Sequence, residues 1–113
     1  MGASFESIER SLHFINKQAE EFARAKSQRV YLEEFRKVQK AILMNEAEQE
    51  GRKTGQERES YAYSHPEYKK LLGGLREAIE IEESLRWKLL SARENIDVQK
   101  QKNMMSMSEA KLR

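Results

Sequence analysis

Cysteine is absent from this chain, which excludes a disulfide framework, a thiolate nucleophile and a cysteine metal site. Proline occurs once, at Pro66, and glycine only five times, so little interrupts a helix. No apolar run exceeds four residues, far short of what spans a bilayer, and no membrane partner is expected. The opening MGASFESIER lacks the apolar stretch of a signal peptide. Glu6 also stands where an N-myristoylation pattern wants Ser or Thr. Neither sign of charge prevails: 21 Lys and Arg face 19 Asp and Glu, a net charge of +2. The split is 10 against 9 up to Lys53 and 11 against 10 beyond it, so neither half is a basic tail. A cytoplasmic, reducing setting is the default expectation.

What the chain does have is helix-forming residues in a helical rhythm. Its 113 residues are 38% hydrophobic and 35% charged, with Ala, Glu, Lys, Leu and Arg dominant. That is enough for one thin helical domain and too little for a thick core, so self-association or a larger partner is expected. The clearest stretch is 64–99. Apolar residues recur there at Leu71, Leu75, Ala78, Leu85, Leu89, Ala92 and Ile96, with Glu82 in one slot of the same 4-3 rhythm. This pattern predicts a long helix whose seam lies against another helix. A carboxylate in a seam is costly unless paired or solvated, so Glu82 is expected to meet Lys, Arg or water. Gly73 and Gly74 inside the helix cost roughly 1 kcal/mol each relative to Ala, and predict close approach of the other helix.

The first helix starts near Ser4, a plausible N-cap. Its apolar stripe runs Phe5, Ile8, Leu12, Ile15, Ala19, Phe22, and then slips: the next slots are Lys26 and Arg29. A second stripe follows at Tyr31, Phe35, Val38 and Ile42. At about 100° per residue, Phe22 and Tyr31 point to opposite faces. Two explanations fit: a continuous helix whose first half packs on a partner subunit and whose second half packs on the C-terminal helix, or a break near Lys26 and Ser27. The segment NEAEQEGRKTGQ predicts a loop. Thr54 and Glu57 have capping-box spacing and start a short helix, and Ser64 or His65, with Pro66 and Glu67, starts the long one. After Val98 the seam slots turn polar at Gln99 and Asn103. A fraying end and tail are expected there, with Met104, Met105 and Met107 as the alternative contact surface.

Catalytic chemistry has little to work with. His13 and His65 are far apart in sequence, no Glu-x-x-His occurs, and the glycines match no phosphate-binding loop. No enzyme activity, metal or cofactor is expected. The basic residues are more suggestive. Arg24, Lys26 and Arg29 cluster, as do Arg36, Lys37 and Lys40, then Lys69 and Lys70, then Arg86, Lys88 and Arg93. Tyrosines and Trp87 are interspersed. Cations for phosphate and flat rings for base stacking are what single-stranded nucleic acid requires. Solvated faces paired with Glu at i+3 or i+4 produce the same pattern.

The segments RVYLEEFRKVQKAILM and QERESYAYSHPEYKKLLGGLREAIEIEESLRW resemble small all-helical proteins of tailed bacteriophages. More specifically, HPEYKKLL at 65–72, leading into a long helix, is similar to a segment of the UvsY-type recombination mediators. The resemblance implies a non-catalytic homo-oligomer in a bacterial host's cytoplasm. Such a protein would bind single-stranded DNA and assist a recombinase against single-strand-binding protein. It offers Arg52, Lys53, Arg58, Lys69 and Lys70, which flank the turn, as phosphate contacts, and Tyr61, Tyr63 and Tyr68 would supply stacking. This chain is shorter than that family, and its stretch before 65 is acidic and aromatic rather than plainly basic.

The expected architecture is an all-α, elongated antiparallel two-helix hairpin, coiled-coil-like, with a short connecting helix. As a single domain over 1–113 it comprises a long helix at 4–48, a loop and short helix at 49–65, a long helix at 66–102 and a tail at 103–113. The alternative function is a non-catalytic coiled-coil interaction or assembly module. Phe5, Ile8, Leu12, Ile15 and Phe22 are then the candidate oligomer or partner interface.

Overall fold

The computed structural model describes residues 2–112, and among them there are helices and no strand. Helix α1 is Gly2–Gln49, α2 is Gly55–Ser64 and α3 is Pro66–Leu112. The described chain is all-α, with two long helices packed against each other and a short one between them.

Local chemistry sets the breaks. Gly51 takes φ 93°, the left-handed conformation that only glycine adopts without strain. This lets the amides of Gly51 and Arg52 turn back onto the carbonyls of Glu48 and Ala47, a Schellman closure of α1. Thr54 caps α2 by accepting the Glu57 amide at 3.1 Å, and the Glu57 carboxylate accepts the Lys53 amide in return. At the start of α3 the cap is His65, whose Nδ1 accepts the Glu67 amide at 3.1 Å. Ser64 instead donates back to the carbonyls of Ser60 and Tyr61, closing α2.

Two compact units form. One combines α1 up to Arg24 with α3 from Glu83 onward; the other is Ala25–Glu82. In the second unit α1 and α3 run antiparallel, because Arg29 meets Glu82 while Glu46 lies beside His65. Leu43, Ala62 and Tyr68 form its core, with Met44 packed against them. Ala47 and Ala62 are wholly buried, and their small side chains leave room for α2 beside α1. Further along α3, Leu75, Ala78 and Glu82 are buried at the seam slots the sequence marks. Glu82 finds the cation its position requires: Arg29 donates to it through Nε and, at 3.2 Å, through Nη2, and also to Glu33 at 3.0 Å. Hydrogen bonds from Arg29 to Glu82 and then Glu33 raise the guanidinium's pKa further, so this cation stays charged throughout the working pH range.

In the first unit, α3 also runs antiparallel to α1. The Asn95 side-chain amide donates to the hydroxyls of Ser7 and Ser11, both at 2.9 Å, and Gln99 donates to Asn95 at 3.3 Å. Polar layers of this kind fix the register of paired helices, because a slip leaves their donors unpaired.

Four expectations change. Helix α1 starts at Gly2, so Ser4 lies inside the helix rather than capping it. Helix α1 runs unbroken through Lys26 and Ser27. Its first half packs on α3 of the same chain, while the second stripe turns outward: Tyr31, Val38 and Ile42 are exposed. The seam of the second unit instead uses Ala25, Arg29, Leu32, Leu43 and Ala47, a set interrupted by the arginine and so hidden from a purely apolar count. A Cβ built on Gly73 or Gly74 meets nothing within 4 Å, so neither glycine admits a close backbone approach in this chain. Helix α3 also continues beyond residue 102, where its seam turns polar, to Leu112.

Candidate functional site

All eight residues offered for nucleic-acid contact lie in the second unit, around α2 and the turns that flank it. They divide into two groups. Tyr68 is buried in the core and meets Tyr63 edge-on at 5.3 Å between ring centres, so it is scaffold. Tyr61 donates to Glu50 at 3.3 Å and has Arg52 over its ring at 5.6 Å. Partial burial first, then the charges of Glu46 and Glu50, raises its phenol pKa. Arg58 donates to the Arg52 carbonyl at 3.0 Å and reaches Glu48 at 3.8 Å, which bridges the loop to α1.

The remaining candidates are freer. Arg52, Lys53, Lys69 and Lys70 are exposed, and among the described residues no carboxylate lies within ion-pairing distance of their side-chain charges. Tyr63 is the most exposed of the three tyrosines, at 46%. Lys40 lies 4.9 Å from its ring centre and pairs with Glu59 at 3.3 Å. The Tyr63 hydroxyl first and Glu59 second raise the Lys40 pKa, so this cation persists at high pH.

The candidate interface residues of α1 lie in the first unit. Ile8, Ile15 and Phe22 are half-buried, whereas Phe5 is 50% and Leu12 48% exposed. The division has a geometric cause. The seam facing α3 uses Ser4, Ser11 and Gln18 alongside the Ile8, Ile15 and Phe22 slots. Phe5, Leu12 and Ala19 each stand one residue later, about 100° round the helix, on its flank. On that flank a groove of about 260 Å³ has Ile15, Ala19, Phe22, Leu89 and Leu90 along it and Arg86 and Arg93 at its edge. The α3 side of this groove is missing from the interface read in the sequence. Its signal is the doublet Leu89-Leu90, one leucine for the seam and one beside it.

Among the described residues, no three His, Cys, Asp or Glu side chains converge as a metal site would require, and no helix is long and apolar enough to cross a membrane. No family model, curated protein or solved structure matches this chain.

Proposed function

We propose that this protein is a non-catalytic helical assembly module that works by laying the apolar face of its first unit against another protein chain. One observation carries the reading. Of the seven apolar side chains buried among the described residues, six lie in the second unit and only Ile96 lies in the first. A helix pair with so little buried apolar surface leaves much of the hydrophobic free energy of its residues unused, at roughly 25 cal/mol per Å². Covering Phe5, Leu12 and the adjoining groove recovers it. The test is recovery of associated chains by a tagged protein, comparing the natural sequence with Leu12→Glu. Association, whether with itself or with another protein, is expected to be lost while helical circular dichroism stays unchanged. Equal recovery by both would count against the reading.

A second reading, single-stranded DNA binding in support of a recombinase, is favoured by the exposed cations Arg52, Lys53, Lys69 and Lys70, none of them within ion-pairing distance of a described carboxylate, and by the exposed Tyr63 with Lys40 over its ring. Phosphate contacts of this kind weaken with salt in proportion to their number. Salt-sensitive gel shifts of a single-stranded oligonucleotide at micromolar protein, reduced by Lys69→Glu/Lys70→Glu, are expected. Absence of any shift at low salt removes this reading and leaves the first intact.

A further inference from the structure

We propose that the first unit holds a phosphate group on its polar edge, between Arg10 of α1 and Lys88 of α3. The phosphate is free or carried by a nucleotide. Arg10 and Ala19 are nine residues apart, about 180° round α1, so this edge lies away from the apolar groove. The two grooves share no residue, and a ligand in one leaves the other open to a partner chain.

A groove of about 480 Å³ runs along the polar edge. Small-molecule sites span about 300–1,000 Å³. Arg10, Lys88, Ser7, Ser11, Ser91 and Asn95 line it, and no carboxylate does. Arg10 and Lys88 are exposed, and neither has a hydrogen-bond or ion-pair partner among the described residues. Glu6 and Glu9 lie along the neighbouring groove of α1 with Arg10 and do not pair with it. Unpaired cations occur elsewhere on the chain, but here two of them flank hydroxyl groups that have donors to spare.

Those donors follow from the register layer. Ser7 and Ser11 each accept a hydrogen from the Asn95 side-chain nitrogen at 2.9 Å. Gln99 donates to the Asn95 oxygen at 3.3 Å, which sets the amide with its nitrogen toward the serines. A hydroxyl is donor and acceptor at once, so each serine keeps its own O–H. A helical serine can spend that O–H on a carbonyl of the preceding turn, as Ser64 does on Ser60 at 2.7 Å. Ser7 and Ser11 do not, and their O–H groups have no acceptor among the described residues. Ser11 is also 8% exposed. A donor shielded from water and left unspent costs free energy until an acceptor reaches it.

The spacing of the cations suits one tetrahedral anion. Asn95 sits opposite the midpoint of Ser7 and Ser11, so in antiparallel helices Lys88 is level with position 16 of α1. Arg10 stands six residues from that level, or about 9 Å along the axis. Ser11 and Ser91, the latter level with position 13, fall between the two. A phosphate offers three terminal oxygens and up to two charges. The guanidinium fork takes two oxygens, and the ammonium and the hydroxyls take the remaining acceptor sites. A carboxylate, with two oxygens and one charge, leaves part of this donor set idle. Phe14 lines the same groove, and its ring gives the base of a nucleotide a flat surface to stack on.

Heteronuclear NMR of the full chain tests the proposal, with inorganic phosphate, adenosine monophosphate or acetate titrated at constant ionic strength. Phosphate is expected to give saturable shifts confined to residues around Ser11, Ser91 and Asn95, and acetate much smaller ones. Arg10→Gln and Lys88→Gln should each weaken binding several-fold, and Arg10→Gln/Lys88→Gln should abolish it at unchanged helical content. Ser11→Ala should weaken it several-fold with both cations in place, which separates hydroxyl donation from bulk charge. Lys53→Gln, in the other unit, supplies a control that binds as the natural sequence does. Tighter binding of adenosine monophosphate, by a factor lost in Phe14→Leu, identifies a nucleotide as the source; equal or weaker binding identifies free phosphate. Shifts that fail to saturate, that spread over the cations of both units, or that acetate matches overturn the proposal. Binding that persists in Arg10→Gln/Lys88→Gln overturns it as well.

Discussion

Arg29 and Glu82 show how one pair of residues can hold two helices in register. Glu82 is 8% exposed and occupies a seam slot that an apolar residue fills elsewhere, and Arg29 and Glu33 complete its layer. Removing one partner leaves a desolvated charge short of hydrogen bonds, which costs more than the pair contributes while intact. Glu82→Ala should therefore lower unfolding stability by about 1–3 kcal/mol, in the lower range because Glu33 still holds the guanidinium. Arg29→Leu/Glu82→Leu should recover most of that loss in urea titrations, since apolar replacements fill the layer without an unpaired charge. A double variant as unstable as the single one would contradict this. The need for a partner at Glu82 was legible in the sequence, because the seam rhythm places a carboxylate where water is scarce. The partner's identity was not: Arg29 lies 53 positions away in a basic cluster that looked solvated.

At the scale of the elements, helix rhythm and capping chemistry carried nearly all the information needed. The seam of α3, the Thr54 cap and the stop before Pro66 follow from residue spacing and from what each side chain can hydrogen-bond. Which face of α1 would be covered did not follow, because an apolar stripe shows that a face seeks a partner without saying which one. The stripe at Tyr31, Phe35, Val38 and Ile42 matches a seam in spacing, yet three of its four residues are exposed. The glycine step of α3 teaches the same lesson. Gly73 and Gly74 suggested a helix crossing, but the structure leaves open space where their side chains would be. Each therefore carries the helix penalty of glycine without a compensating contact. Gly73→Ala and Gly74→Ala should each raise stability by about 0.5–1 kcal/mol, seen as a higher melting temperature by circular dichroism. A loss of stability in either variant would show that a neighbour does approach there.

At the scale of the whole molecule, the two units differ in how fully they bury their own residues. The Ala25–Glu82 unit has a small core built from three helices, and its candidate DNA-binding tyrosines are partly consumed by it. The other unit joins its helices through a serine–asparagine layer and leaves Phe5 and Leu12 half in water. That contrast makes association the central expectation, and it explains why the chain's function was harder to read than its fold. Helix pairing is written in periodicity within one chain, whereas an exposed apolar face seeks cover without naming its occupant. The most direct measurement is the recovery of associated chains by the tagged protein, for the natural sequence and for Leu12→Glu at equal concentration. Association of the former, with itself or with another protein, and its loss in the latter at unchanged helical content is the result expected. Equal recovery by both, or none by either, would contradict it.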